Sequence, residues 1–226
     1  MKTQQNTQGY IKKAKVGEKM DILIAMQAIY DKNFEIYAYE LLYRSSVEIN
    51  EYTETNGDIA TSLVIVGTML GGGIENMTDQ KIGFINFTDN MLKSDLLKLM
   101  PPRHLGIEIL ETAEPTEDAL DACRKLRDLG HKITLDDYVL NGKSHKFAEY
   151  ADIIKVDFLN SDDRQIMSIV KKYKRKGVKF IAEKIETEED YDKAQKYGFD
   201  YFQGYYLSKP SYISCNELME LQTNAK

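Results

Sequence analysis

From about Ile22 onward the chain alternates short runs rich in β-branched and aromatic residues with longer amphipathic stretches, the pattern of repeated β-α units. Eight runs read as strands, at 23–30, 35–43, 81–87, 105–110, 132–136, 152–157, 178–182 and 201–206. Helical periodicity between them predicts helices over 58–69, 116–129, 161–176 and 187–197, and Gly130, Gly177 and Gly198 stand where helices end. Eight strands with mostly helical crossovers in 226 residues favour an α/β fold, a closed (β/α)8 barrel of the TIM type. An open doubly wound sheet is the runner-up, without a Gly-x-Gly-x-x-Gly turn to support it. Only about four residues, 31–34, join the first two strands, too few for a helical crossover, so the barrel is expected to open with an antiparallel first strand.

No shift in composition marks a second domain, which predicts a polar N-terminal tail over 1–20 and a single barrel domain over 21–226. The formal charge of −6 argues against a duplex nucleic-acid partner, whose phosphates would call for a basic face. The two cysteines, Cys123 and Cys215, have neither metal-ligand nor disulfide spacing and read as structural thiols in a reducing compartment. The apolar run over 22–30 is too short to span a bilayer and contains Gln27, and the first twenty residues lack a signal-peptide pattern. A cytoplasmic protein without a membrane partner is expected.

In a barrel of this kind catalytic groups stand at the C-terminal ends of strands. The polar residues there are Glu40, Asn86, Glu108, Glu111, the pair Asp136-Asp137, Lys155, Glu183, Glu186 and Gln203. With Ile133 and Leu135 facing the helices, Asp136 points into the barrel mouth, and Ile154 and Val156 do the same for Lys155. Glu108 and Glu183 turn inward by the same alternation. Carboxylates converging in one cleft repel one another unless cations compensate them. Oxygen donors from Glu40, Asn86, Glu108, Asp136 and Asp137, with no histidine or cysteine among them, point to two Mg2+ or Mn2+ ions rather than zinc. Such a centre activates water for in-line phosphoryl displacement, with Lys155 orienting that water or neutralising developing charge.

Each residue also has a plain structural explanation. An Asp-Asp pair can cap a helix, Glu186 can favour a helix dipole, and Lys155 can pair internally with Asp157. His104, His131 and His145 have no partner pattern and are expected on the solvated surface.

Read in order, from about Met26 to Pro210, these motifs resemble the EAL family of cyclic di-GMP phosphodiesterases, (β/α)8 barrels named for a Glu-Ala-Leu signature. Glu40-Leu41-Leu42-Tyr43-Arg44 keeps the glutamate, last leucine and arginine of that signature, and Gln27-Ala28-Ile29 resembles the segment that precedes it. The resemblance implies metal ligation by Glu40, Asn86, Glu108, Asp136 and Asp137, and catalytic duty for Glu40, Lys155, Glu183 and Gln203. It also implies substrate contacts from Gln27, Leu42 and Arg44, and bracing by Glu111 and Glu186 of the loop after the aspartate pair. The implied reaction opens one phosphodiester of cyclic di-GMP to give linear pGpG.

The chain departs from the family in that loop, where Tyr138-Val139-Leu140-Asn141-Gly142-Lys143 replaces a Phe-Gly-Thr-Gly type segment that couples dimerisation to metal binding. Lys184 stands where a glycine commonly follows the catalytic glutamate, and the stretch from Asn86 to Glu108 is short. These variants, with Phe-Asp-Tyr-Phe-Gln-Gly-Tyr-Tyr, are similar to the subgroup in which an EAL domain precedes an HDOD domain, which implies a longer signalling protein. A homodimer is a further implied assembly. The competing readings are a silent cyclic di-GMP receptor or protein-interaction module and, more remotely, a carboxylate-pair glycosidase, which would need neither Asn86 nor Lys155.

Overall fold

A computed structural model of the chain describes residues 22–44, 56–214 and 216–217; the expected tail over 1–20 and Cys215 lie outside these. Among the described residues nine strands form one sheet: β1 (Leu23–Asp31), β2 (Ile36–Arg44), β3 (Ile82–Phe87), β4 (Leu105–Ile109), β5 (Lys132–Leu135), β6 (Ile153–Asp157), β7 (Lys179–Glu183), β8 (Tyr201–Phe202) and β9 (Ser211–Ser214). From β2 to β8 each strand lies parallel to the next. β1 runs antiparallel and closes the ring, pairing with β2 along one edge and with β8 at Tyr30 and Asp31 on the other. The expected barrel and its opening hairpin are therefore both present.

Two features differ from expectation. β8 is two residues long because the chain leaves the sheet at Gln203, where Gln203 O and Tyr206 N bond the backbone of Ile185 instead. β9, which the strand count did not include, pairs with the first half of β1 at Leu23 to Met26. Four residues with apolar side chains only at Tyr212 and Ile213 are too few to register as an alternating strand.

The helices are α1 (Gly57–Leu70), α2 (Ile74–Met77), α3 (Asp89–Leu92), α4 (Glu117–Asp128), α5 (Asp163–Tyr173) and α6 (Glu188–Tyr197). Capping boxes open the last two, Asp162 with Gln165 and Thr187 with Asp190, and a left-handed Gly198 ends α6. On α4 the buried residues Ala119, Cys123 and Leu126 recur at helical spacing, so Cys123 packs as an apolar group against the sheet. His131 corrects the surface expectation: it is 2% exposed, with Nδ1 3.0 Å from the Leu105 carbonyl. Packed on the sheet just before β5, the ring buries its apolar body while the carbonyl satisfies its polar edge.

Strand alternation divides the barrel interior into layers. Ile29, Ala38, Phe84, Ile153 and Ile181 form a dry floor, and Gly106 leaves the room that the Phe84 ring fills. Two residues along the same strands stand Gln27, Glu40, Asn86, Glu108, Lys155 and Glu183. The larger cluster, with Ile107, Ile133, Ile154 and Val156, packs sheet against helices and holds the strands in register.

Candidate active site

Lys155 stands at the centre of the polar layer. Its Nζ lies 2.7 Å from Glu108 Oε1, 2.8 Å from Glu183 Oε1, 3.2 Å from Asp136 Oδ1 and 3.3 Å from Glu40 Oε2. The side chains of Lys155 and Glu108 are essentially inaccessible to water, so the ammonium exists there only because carboxylates surround it. The simple pairing of Lys155 with Asp157 is not what forms. Asp157, at the end of β6, accepts from Leu159 N and from Asn160 N and Nδ2, and is ion-paired with Lys184.

The other residues arrive from neighbouring strands. Glu40 on β2 accepts a 2.6 Å hydrogen bond from Gln203 Nε2, which the chain presents just after β8. Asn86 and Glu108 are register partners on β3 and β4. Asp136 and Asp137 follow β5 on a turn fixed at both ends, by Asp136 N to Ile109 O at 2.9 Å and Tyr138 N to Lys155 O at 3.0 Å. The tyrosine that opens the unusual loop is buried, its hydroxyl 2.6 Å from that of Tyr173 on α5.

Burial pushes the Glu108 carboxyl well above its ordinary range, and Glu40, Asp136 and Glu183 add to the shift against the pull of Lys155. Burial likewise raises Glu183, to about 8, with Asp136, Glu40 and Asp137 contributing against Lys155. Asp137 is raised by burial and by Asp136. Glu40 goes the other way: burial would lift it, but Lys155, Gln203 and Arg44 together hold it below the usual value. Ionised together, these carboxyls would carry more negative charge than one buried ammonium neutralises, and Glu108 and Glu183 relieve part of it by holding their protons.

Five buried amide and carboxylate oxygens at this end of the barrel have no hydrogen-bond partner among the described residues: Asn86 Oδ1, Glu108 Oε2, Asp137 Oδ1, Glu183 Oε2 and Gln203 Oε1. Buried acceptors without donors are costly, and cations relieve them. One oxygen each from Asp136, Asp137 and Glu183 falls within 4.8 Å of the others. An all-oxygen donor set of this kind fits a hard divalent ion.

Two cavities open onto the layer. One of about 380 Å3 is bounded by Gln27, Glu40, Asp136, Glu183 and Gln203, with Glu186 at its rim. Its neighbour, of about 620 Å3, is bounded by Arg44, Asn86 and Thr88, and the two share Leu42, Asp137 and Lys184. Arg44 Nη1 donates to the Tyr43 carbonyl at 3.0 Å. Glu111 is exposed and makes no hydrogen bond to loop 138–143; Glu114 reaches that loop instead, accepting from Lys143 Nζ at 2.6 Å. The sequence reading missed the Lys184–Asp157 pair, the buried Thr134 beside Glu108, and Leu159 and Tyr205 in the cavity wall. For Lys184 a signal existed, a lysine in a glycine's place. No local pattern singled out the others.

The family model described as EAL domain matches residues 82–210. Among curated proteins the chain is similar to the uncharacterized protein YuxH of Bacillus subtilis, 38% identical over 204 residues covering 88% of this chain and 50% of the relative. It is 33% identical to the cyclic di-GMP phosphodiesterase CdgJ of Vibrio cholerae over 193 residues, 84% of this chain and 44% of the relative. The chain thus spans about half the length of these relatives. Among solved structures, an EAL domain protein from Listeria monocytogenes superposes with a TM-score of 0.67 at 26% identity, over 91% of this chain and 93% of that one. Klebsiella pneumoniae BlrP1, in its manganese and cyclic di-GMP complex, shares the fold with a TM-score of 0.68 at 23% identity, over 85% and 57% of the two chains. On the family match and the shared barrel, the chain belongs to the EAL domain family.

Proposed function

We propose that the chain hydrolyses cyclic di-GMP to linear pGpG at the carboxylate layer around Lys155, with two divalent ions, Mg2+ or Mn2+, as cofactors. The observation that carries this reading is the set of buried oxygens on Asn86, Glu108, Asp137, Glu183 and Gln203 that lack a partner among the described residues, beside four carboxyls grouped on one ammonium. Its similarity to CdgJ, whose name gives that activity, supports the choice of substrate.

Glu40, Asn86, Glu108, Asp136 and Asp137 would hold the ions, which when bound supply an acidified water and relief of charge on the phosphodiester. Lys155 and Glu183, 2.8 Å apart, would hold the attacking water and its proton. Gln203 keeps Glu40 oriented through their hydrogen bond. Arg44 would take a substrate phosphate as a charge-assisted donor, with Gln27 and Leu42 seating the dinucleotide where the cavities meet. Bracing of the aspartate loop falls to Tyr138 with Tyr173 and to Lys143 with Glu114, alongside the rim residue Glu186. A cytoplasmic location, a homodimer and an HDOD domain in a longer native protein belong to the same reading, as what the family resemblance implies.

The altered loop at 138–143 favours a second reading, a silent receptor that binds cyclic di-GMP without turning it over. Incubating the chain with cyclic di-GMP and saturating Mn2+, and following linear product beside a Glu40→Ala control, separates the two. The hydrolase reading expects product that disappears in the control; calorimetric binding without product would select the receptor.

A further inference from the structure

Lys184 follows Glu183 at the end of β7 with a φ of 56°, in the left-handed region that glycine enters freely and lysine does not. A side chain kept there under strain suggests that its chemistry is used. The ammonium is ion-paired with Asp157, which is buried and anchored by Leu159 N and Asn160. From that anchor it stands 3.6 Å from Asp137 Oδ2, while the other oxygen of the same carboxylate, Oδ1, is buried and partnerless among the described residues. Asp137 is thus divided between a tethered cation and the cluster it forms with Asp136 and Glu183. Lys184 also borders both cavities.

We propose that Lys184 is a built-in positioning cation that shares Asp137 with the divalent-ion site and weakens the hold on an ion at that end. The proposal rests on the reading of Asp137 as a metal ligand. A unit positive charge next to an ion's ligand repels the ion through space and draws electron density from the shared carboxylate. Removing it leaves Asp157 as an additional negative charge nearby. The Lys184 and Asp137 side chains are 43% and 39% exposed, so solvent screens the effect. The charge would make loading of the Asp137 end respond to the concentration of free divalent ion, a control set by one side chain.

Manganese titrations of the full chain by calorimetry test this with three variants. Lys184→Met removes the charge and keeps a long side chain, Lys184→Gly removes the charge and relaxes the backbone, and Lys184→Arg keeps the charge. The weaker Mn2+ step is expected to tighten on the order of tenfold in Lys184→Met and Lys184→Gly, and to stay near wild type in Lys184→Arg. Unchanged or weaker binding in both uncharged variants would overturn the proposal. So would tightening in Lys184→Gly alone, which would assign the effect to the backbone. Absence of Mn2+ binding in wild type and variants alike would remove Asp137 as a ligand, and the proposal with it.

Discussion

Lys155 Nζ lies 2.7 Å from Glu108 Oε1 with both side chains sealed inside the barrel, the tightest contact in a cluster of one ammonium and four carboxylates. Removing the ammonium leaves buried charges without compensation. Lys155→Met is expected to cost about 3–5 kcal/mol of folding stability in metal-free buffer, measured by urea denaturation. Added Mn2+ should recover part of that loss, because cations then supply the missing charge. A metal-free variant as stable as wild type would mean that the carboxyls are neutral without Lys155.

Glu183 is held up at about 8 by burial and its acidic neighbours. A cation bound beside this carboxyl favours its charged form, so below that value binding releases a proton, and affinity rises with pH. Apparent Mn2+ affinity should climb from about pH 6 toward pH 8, by up to tenfold per unit for one proton released. The raised Glu108 carboxyl acts in the same direction. Calorimetry in buffers of different ionisation enthalpy reads the proton directly, and a titration without proton release would contradict the assignment.

Gly204 follows Gln203 against the backbone of Ile185, where a Cβ would overlap the Ile185 carbonyl and amide. Gly204→Ala must therefore shift Gln203 and with it the hydrogen bond to Glu40. The expected cost is about 1–3 kcal/mol in stability, with a fall in kcat larger than any change in KM. A thermal melt beside steady-state kinetics checks both.

Tyr138→Phe deletes one of two buried hydroxyls that bond each other at 2.6 Å and leaves Tyr173 with an unsatisfied group. A loss of about 1–3 kcal/mol is expected. Because Tyr138 adjoins the aspartate pair, Mn2+ affinity should fall as well. Stability loss with metal binding untouched would show that the anchor serves the fold alone.

Much of this was legible in the sequence. The strands of a barrel are buried on both faces, so their apolar runs stand out, and the two-residue alternation was enough to turn Glu108, Lys155 and Glu183 inward. What escaped notice depended on contacts distant in sequence or on backbone states that residue type does not encode. Tyr138 and Tyr173 meet across 35 positions. His131 looked like a surface residue until the Leu105 carbonyl was placed beside it. The alternation gave Lys155 its direction but not its four partners, and a lysine in a glycine's place hinted at the left-handed conformation of Lys184 but not at its reach across to Asp157 and Asp137.

Anomalous diffraction from crystals soaked in Mn2+ shows whether the oxygens around Lys155 form a two-ion site. Two peaks about 3.5–4 Å apart, touching Glu40, Asn86, Glu108, Asp136 and Asp137, are the expected result. No peak at saturating Mn2+, with Lys155 still bound to the same four carboxylates, would contradict it and leave the ammonium as the site's own permanent cation.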